Sequence, residues 1–431
     1  VTGEKAPIAR LHPSLKGIKD ANPTGATLVG FNASAYESYG KVQGDNSPVS
    51  EKAAFAYTTA LNYLLSSENE NRKFHIGDTT VVYWAESSDR IYATVFAALF
   101  GISTDSSEAT EANDKTANVT RDKRAERLLA AIAEKVRQGD AIDLARLDQD
   151  ISINEDTRFY VLGLAPNAAR ISIRFFFTDP FLKMVQKIMA HYNDMAIEKE
   201  FADQPSQIPL WKILDETISK KASDKTGSPL MAGAVFTSIL NNTPYPAALY
   251  YAIINRVKAD AEDPEKGIRK INYYRAAIIQ AYLTRRYRHI NSSQIKEVLS
   301  MSLNEQSTNP AYLLGRLFAV LEKVQKEAIG DVNASIKDRY FTSACASPAT
   351  VFPQLLRLSQ YYISKAEYGY ASDNRIEAIM NLLDVNEQPI PSHLSHDEQG
   401  VFILGYYHQR AAFYIPKSDD IKKVNKTEEV N

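Results

Sequence analysis

Apolar residues along this chain follow two periods, and the point where one gives way to the other divides the molecule. The stretch 26–34 (ATLVGFNAS) is apolar and β-prone, and 78–86 (DTTVVYWAE) is a second strand candidate. Between them 47–67 predicts a helix, with Ser50 as its cap and Phe55, Leu61 and Leu64 along one side. The region 104–123 is Ser, Thr, Asp, Glu, Ala and Asn with almost no apolar residue, the composition of an exposed linker, and a helix is predicted over 124–138. Two further strands follow, 158–164 (RFYVLGL) and 169–177 (ARISIRFFF). In the second, Arg170, Ser172 and Arg174 alternate with Ile171, Ile173 and Phe175, the period of two of a half-buried strand whose open face carries two arginines. The short link 165–169 makes the two a hairpin.

Beyond residue 179 the spacing turns helical. Segments 180–200, 207–222, 228–241, 245–260, 271–288, 309–329, 348–366 and 373–384 all place apolar residues at i, i+3/i+4, punctuated by Pro and Gly. The clearest starts at Asn309–Pro310, ends at Gly330, and lines Leu314, Leu317, Leu321 and Val324 on one side, with Glu322 and Lys326 at i, i+4. Arg316 lies among those leucines beside Gly315, a residue that lets another backbone come close. A buried arginine needs a partner, here either a carboxylate of the bundle or a phosphate. The fold class is therefore α+β: a mixed α/β N-terminal portion with short strands (1–178), a helical domain with a basic helix (179–300), a C-terminal helical bundle (301–416) and a disordered tail (417–431). The chain starts at Val1 in VTGEKAPIARLHPSLKG, which reads as the middle of something, with an upstream domain absent.

Composition narrows the class. The 431 residues suffice for two or three domains, and 44% hydrophobic with 24% charged residues is ordinary for a globular protein. A single cysteine, Cys345, excludes a disulfide framework and fits a reducing, cytoplasmic location. No apolar run approaches the ~20 residues of a membrane helix, and the Asn-x-Ser/Thr sequons carry no weight without a secretory route.

Charge changes the picture more. Formal net charge is only −2, yet 266–289 (KGIRKINYYRAAIIQAYLTRRYRH) holds seven basic residues, four tyrosines and no acid. Wound as a helix it sets Arg275, Tyr282 and Arg286 at i, i+7 and i+11 on one face, with Lys270 and Arg285 nearby. Cations that neutralise phosphates, interleaved with rings that stack on bases, suit a polyanion. The plainer reading is an amphipathic helix whose arginines pair with carboxylates of the fold, and Ile271, Ile278 and Ile279 require part of it to be core.

Catalytic patterns are missing. G-x-G-x-x-G, G-x-x-x-x-G-K-[ST], H-E-x-x-H and G-x-S-x-G do not occur. Seven histidines lack metal-ligand spacing, except for His393 and His396, the latter followed by Asp397. The string 395–398 (SHDE) reads better as a helix cap with acids in the first turn. Asp148 and Asp150 are solvated acids, and Cys345 packs as a small apolar group. The reading is a binding protein with no cofactor and no metal.

Several strings carry a family likeness: FNASAYESYGKVQGDNSPVSEKAAFAYTTALNYLL (31–65), IGDTTVVYWAE, LGLAPNAARISIRFF, TPYPAALYYAIINRVKAD, INYYRAAIIQAYLTR, AYLLGRLFAVLEKVQ and QGVFILGYYHQR. In order and content they resemble the large subunit of the type I-C (Dvulg-subtype) CRISPR surveillance complex, from about residue 1 to about 415. The resemblance implies a non-catalytic subunit that sits with backbone subunits on a CRISPR RNA, engages target double-stranded DNA, helps hold the displaced strand and recruits a separate nuclease-helicase. It further implies a small subunit made from an internal start, for which Met301 is the candidate. Members carry an additional N-terminal domain that nothing before Val1 represents, so no motif-reading residue is assigned. Together with the charge pattern, the resemblance makes Arg170, Arg174, Lys270, Arg275, Tyr282, Arg285, Arg286 and Arg316 the candidate nucleic-acid contacts, and leaves Asn32, Tyr39 and Trp84 with structural roles. The alternative is a helical protein–protein scaffold without direct DNA contact.

Overall fold

The computed structural model describes residues 5–31, 33–67, 72–101, 154, 156–168, 170–222, 227–263, 267–290, 292–330, 334–383 and 389–414. The expectations for 104–123, 124–138, Asn32, Asp148, Asp150 and the tail 417–431 lie outside them. The described residues form thirteen α-helices and one four-stranded antiparallel sheet, an α+β fold. Contacts divide the chain into two compact units. The first comprises Val1–Ala190, Pro209–Trp211 and Thr226–Asn242; the second comprises His191–Ile208, Lys212–Lys225 and Thr243–Asn431. The boundary expected at 300–301 falls inside the second unit.

In the first unit β1 (Lys73–Ile76), β2 (Thr79–Ala85), β3 (Arg158–Asn167) and β4 (Arg170–Pro180) pair in sequence order. The β1–β2 turn uses Gly77 at φ +60°. Both faces of the sheet are covered, which is why β2 reads as a nearly continuous apolar run. One face sets Tyr83, Phe159 and Phe175 against α2 (Ile91–Leu99), the first part of α3 (Phe181–Asp194) and α5 (Pro229–Asn241). The packing there is aromatic, with Phe159 4.8 Å from Phe96 and Phe175 5.2 Å from Phe236, centroid to centroid. On the other face Val82, Leu162, Leu164 and Ile171 meet Leu15, Ile18, Ala26 and, from α1 (Glu51–Leu65), Leu61, Leu64 and Leu65.

Ser50 caps α1, accepting from the Ala53 N–H. Its buried stripe runs through Ala54, Thr58, Leu61 and Leu65; Phe55 lies off that stripe and is exposed, contrary to the predicted side. Nor does 26–34 form a strand. Ala26 bridges Leu15 and Thr27 bridges Arg170, and the segment is apolar because Ala26 and Leu28 cover the sheet. The period-two reading of β4 fails at one position. A register shift at Gly163/Leu164, which pair with Phe175 and Ile173, inserts a residue, so Ile171 and Phe175 are buried on opposite faces of the sheet; Ile173 is 52% exposed.

The second unit is helical: α6 (Ala247–Ala259), α7 (Tyr273–Tyr287), the short α8 (Ser293–Lys296), α9 (Pro310–Ile329), α10 (Ile336–Ala346), α11 (Pro348–Lys365), α12 (Gly369–Leu383) and α13 (His396–Ala411). A short helix α4 (Leu210–Asp215) precedes α5 in the chain. Asn309 caps α9, with Pro310 at its first turn as predicted, and Leu314, Leu317, Leu321 and Val324 are buried. Its closest neighbour is α13, and two glycines set the distance. A Cβ on Gly315 would lie 2.0 Å from the Phe402 carbonyl oxygen, and one on Gly405 would lie 2.1 Å from that of Tyr312. Only hydrogens fit at this crossing, so the backbones themselves are the contact surface.

Candidate nucleic-acid interface

The basic segment is built inward. Asn272 caps α7, its side-chain oxygen accepting from the Arg275 N–H. That start turns Arg275 into the second unit's core, where the residue is fully buried. Its Nε donates to Glu216 Oε2 at 2.9 Å, its Nη2 to Asp260 Oδ2 at 2.6 Å and its Nη1 to the Lys270 carbonyl at 2.9 Å. Burial by itself would raise the Glu216 carboxyl, but Arg275, Lys212 and Lys220 reverse this and hold it below the usual carboxylate range. Arg285 is buried too, donating to Asp194 Oδ2 at 2.7 Å and to the Thr243 carbonyl at 2.9 Å, its guanidinium 4.2 Å above the Tyr245 ring. Asp194 also accepts from Arg288 at 2.6 Å. Tyr282 is buried and stacks on Tyr250 at 4.2 Å, and Lys270 is buried as well.

The face drawn from the sequence, Arg275–Tyr282–Arg286, is therefore not a solvent face. A guanidinium that loses its water must find carboxylates, and the fold delivers them from 194, 216 and 260, far away in the sequence. Arg286 alone of the three reaches the surface, its side chain 48% exposed, and it pairs with Asp397 at 2.9 Å. Arg316 is buried on neutral oxygens of the protein: its Nε donates to the Gln409 side chain at 3.2 Å and its Nη1 to the Asn304 and Glu305 carbonyls. Neutral oxygens leave burial as the dominant influence, and it lowers the arginine's pKa.

In the first unit the arginines of β4 are differently placed. Arg170 sits with its guanidinium 4.2 Å from the centre of the Tyr36 ring, and that ring is half exposed. Arg174, its side chain 40% exposed, forms an ion pair with Asp78 at 3.1 Å. Trp84 is half-buried, stacked on Tyr160 at 5.1 Å and packed on the sheet core, a structural role as expected. Tyr39 departs from that expectation, being 98% exposed.

A second exposed pairing of cation and ring lies on α11, which sequence reasoning passed over. Arg357, Tyr361 and Lys365 are exposed at i, i+4 and i+8. Lys365 Nζ donates to Tyr361 Oη at 2.6 Å and lies 4.5 Å from its ring centroid, and Tyr368, in the link to α12, and Tyr370, in the first turn of α12, are exposed as well. The sequence signal was available: 348–366 contains no acid.

The His393, His396, Asp397 grouping takes a structural place. Ser395 and Glu398 form the capping box of α13, and Asp397 Oδ2 accepts from Arg286 and from Tyr287 Oη at 2.6 Å. Among the described residues no three His, Cys, Asp or Glu side chains gather as metal ligands. Cys345 is buried, its thiol pushed up to about 12 by burial, and it packs beside the Gln399 carbonyl. No described helix is long and apolar enough to cross a membrane.

The family described as CRISPR-associated protein (Cas_Csd1) matches residues 1–414. No curated protein matches the chain.

Proposed function

This chain belongs to the CRISPR-associated Csd1 family, the large subunits of type I-C complexes, and from that premise we propose that it serves an RNA-guided antiviral effector as its non-catalytic DNA-engaging subunit. In that role it binds target double-stranded DNA beside backbone subunits that carry the CRISPR RNA, steadies the displaced strand and helps recruit a separate nuclease-helicase. The supporting observation is how the cations are sorted. Those of 266–289 are mostly consumed inside the second unit, Arg269 over the exposed Phe201 ring apart, whereas the half-buried Arg170 lies over the exposed Tyr36 ring and the exposed Lys365 over the exposed Tyr361 ring. A cation next to a ring is the pairing that holds a phosphate and a base together. We assign backbone contacts to Arg170, Arg174, Arg286, Arg357 and Lys365. Lys270, Arg275, Tyr282, Arg285 and Arg316 we assign to the framework that carries them. A small subunit started at Met301 would contain α9–α13 with the Gly315–Gly405 crossing intact.

Binding of a fluorescent target duplex by the assembled RNA-containing complex, with and without this chain across a salt series, tests the reading. Omission should abolish capture, and Arg170→Ala with Arg174→Ala should lower the salt slope by about one per lost phosphate contact. Equal affinity and slope without the chain would leave a scaffold role, for which the burial of Arg275 and Arg285 on protein carboxylates already speaks.

A further inference from the structure

The loop between β-bridge residue Thr27 and α1 contains a ring held away from the protein. Tyr39 is 98% exposed and adopts φ +56°; Gly40 follows at +66° and Gln43 at +48°. Left-handed backbone is unfavourable for a tyrosine and a glutamine, and it persists only where surrounding contacts dictate it. Here they do. Asn46 accepts from the Ser38 N–H at 2.9 Å and donates to the Lys41 and Gln43 carbonyls at 3.0 Å each. Glu37 accepts from the Gln43 N–H, and the Gln43 side chain accepts from Arg10 Nε at 2.6 Å. Below, Gly44 donates to the Arg10 carbonyl and lies so close to Ala9 that a Cβ would sit 1.9 Å from its oxygen.

A loop that merely closed a turn would need neither the strain nor the tyrosine. A flexible one would lay the ring against nearby apolar surface to remove it from water. This one is fixed by its own hydrogen bonds and keeps the ring out, with Val42 and Tyr36 also largely exposed beside it. Three cations lie nearby, exposed Arg10 and Lys41 and the Arg170 guanidinium over Tyr36, beside two acids of the same loop, Glu37 (held by the Gln43 N–H) and exposed Asp45. A rigid exposed ring with cations within reach has the chemistry of a base-stacking site, since stacking needs only a flat partner and the cations serve its phosphate.

We propose that Tyr39 stacks on a nucleobase of the bound DNA, with Arg10, Lys41 and Arg170 taking the adjoining phosphates. The inference rests on the nucleic-acid reading above. Its test uses the assembled complex and target duplexes carrying 2-aminopurine at successive positions. The wild-type complex should change the fluorescence at one position. Tyr39→Ala should abolish that change and weaken binding about tenfold, while Tyr39→Trp keeps both. An unaltered signal and affinity in Tyr39→Ala overturns the assignment while leaving the chain's wider DNA role standing. Failure of Tyr39→Ala to enter the complex, when its urea midpoint is unchanged, also overturns it and makes the ring a plug for a protein socket. If the complex captures the duplex equally well without this chain, the parent reading falls and this one with it.

Discussion

Arg275 is where a functional and a structural reading of the same residue diverge, so its replacement is the sharpest test of the framework. Arg275→Ala removes three hydrogen bonds and leaves Glu216 and Asp260 buried. Breaking one partner out of a buried ion pair costs about 3–5 kcal/mol. Glu216 keeps Lys212 at 3.0 Å and Asp260 keeps Arg256 at 3.2 Å, so the loss should fall at the lower end, ~3 kcal/mol. Arg286→Ala, removing a half-exposed pair with Asp397, should cost under ~1 kcal/mol. Urea unfolding followed by circular dichroism measures both. Target binding by the Arg275→Ala complex, at a denaturant-free temperature where it is folded, should match wild type. A destabilisation within ~0.5 kcal/mol of zero would refute the packing argument. Weaker DNA binding at unchanged stability would return Arg275 to the interface.

Other outcomes follow from particular contacts. Gly405→Ala should destabilise by ~3 kcal/mol or more, because its Cβ would stand 2.1 Å from the Tyr312 carbonyl oxygen and push α9 off α13. Gly233→Ala, in α5 with open space around the new methyl, should stabilise by ~0.5–1 kcal/mol in the same urea assay. Burial lowers His191 to about 3 and His408 to about 4, below their unfolded value near 6.5. The unfolded chain then binds more protons than the folded one between pH 6.5 and 4. Stability should drop as pH falls through that window, by up to ~1.4 kcal/mol per unit for each histidine, and replacing both with Gln should flatten the slope between pH 6 and 5. On α11, Arg357→Ala with Lys365→Ala should reduce the salt slope of DNA binding by about two without moving the urea midpoint; an unchanged slope removes α11 from the DNA path.

Local pattern was enough to place β2, β3 and β4, the Ser50 cap of α1, the long helix α9 and the cap at the start of α13. Those features depend on residues within a few positions of one another, so their physics is written in short strings. The strings carrying the family likeness were legible for the same reason. What period could not decide was which apolar stretch pairs and which one covers: 26–34 is apolar because it roofs the sheet, and a single inserted residue opposite Gly163 put Ile171 and Phe175 on opposite faces.

The fate of the charges was decided by tertiary structure alone. In sequence, 266–289 is a run of cations without acids; in the fold its deepest arginines meet Asp194, Glu216 and Asp260, which lie between 15 and 91 residues away. Whether a cation faces water or a carboxylate depends on long-range packing, because desolvating an arginine is tolerable only where the chain returns with an anion. Exposure of Tyr39 was hidden because it depends on how the loop closes, through Asn46 and Glu37 within the loop and Arg10 from outside it. The sequence determined where this protein could concentrate charge and rings; the fold decided which of them a partner can touch.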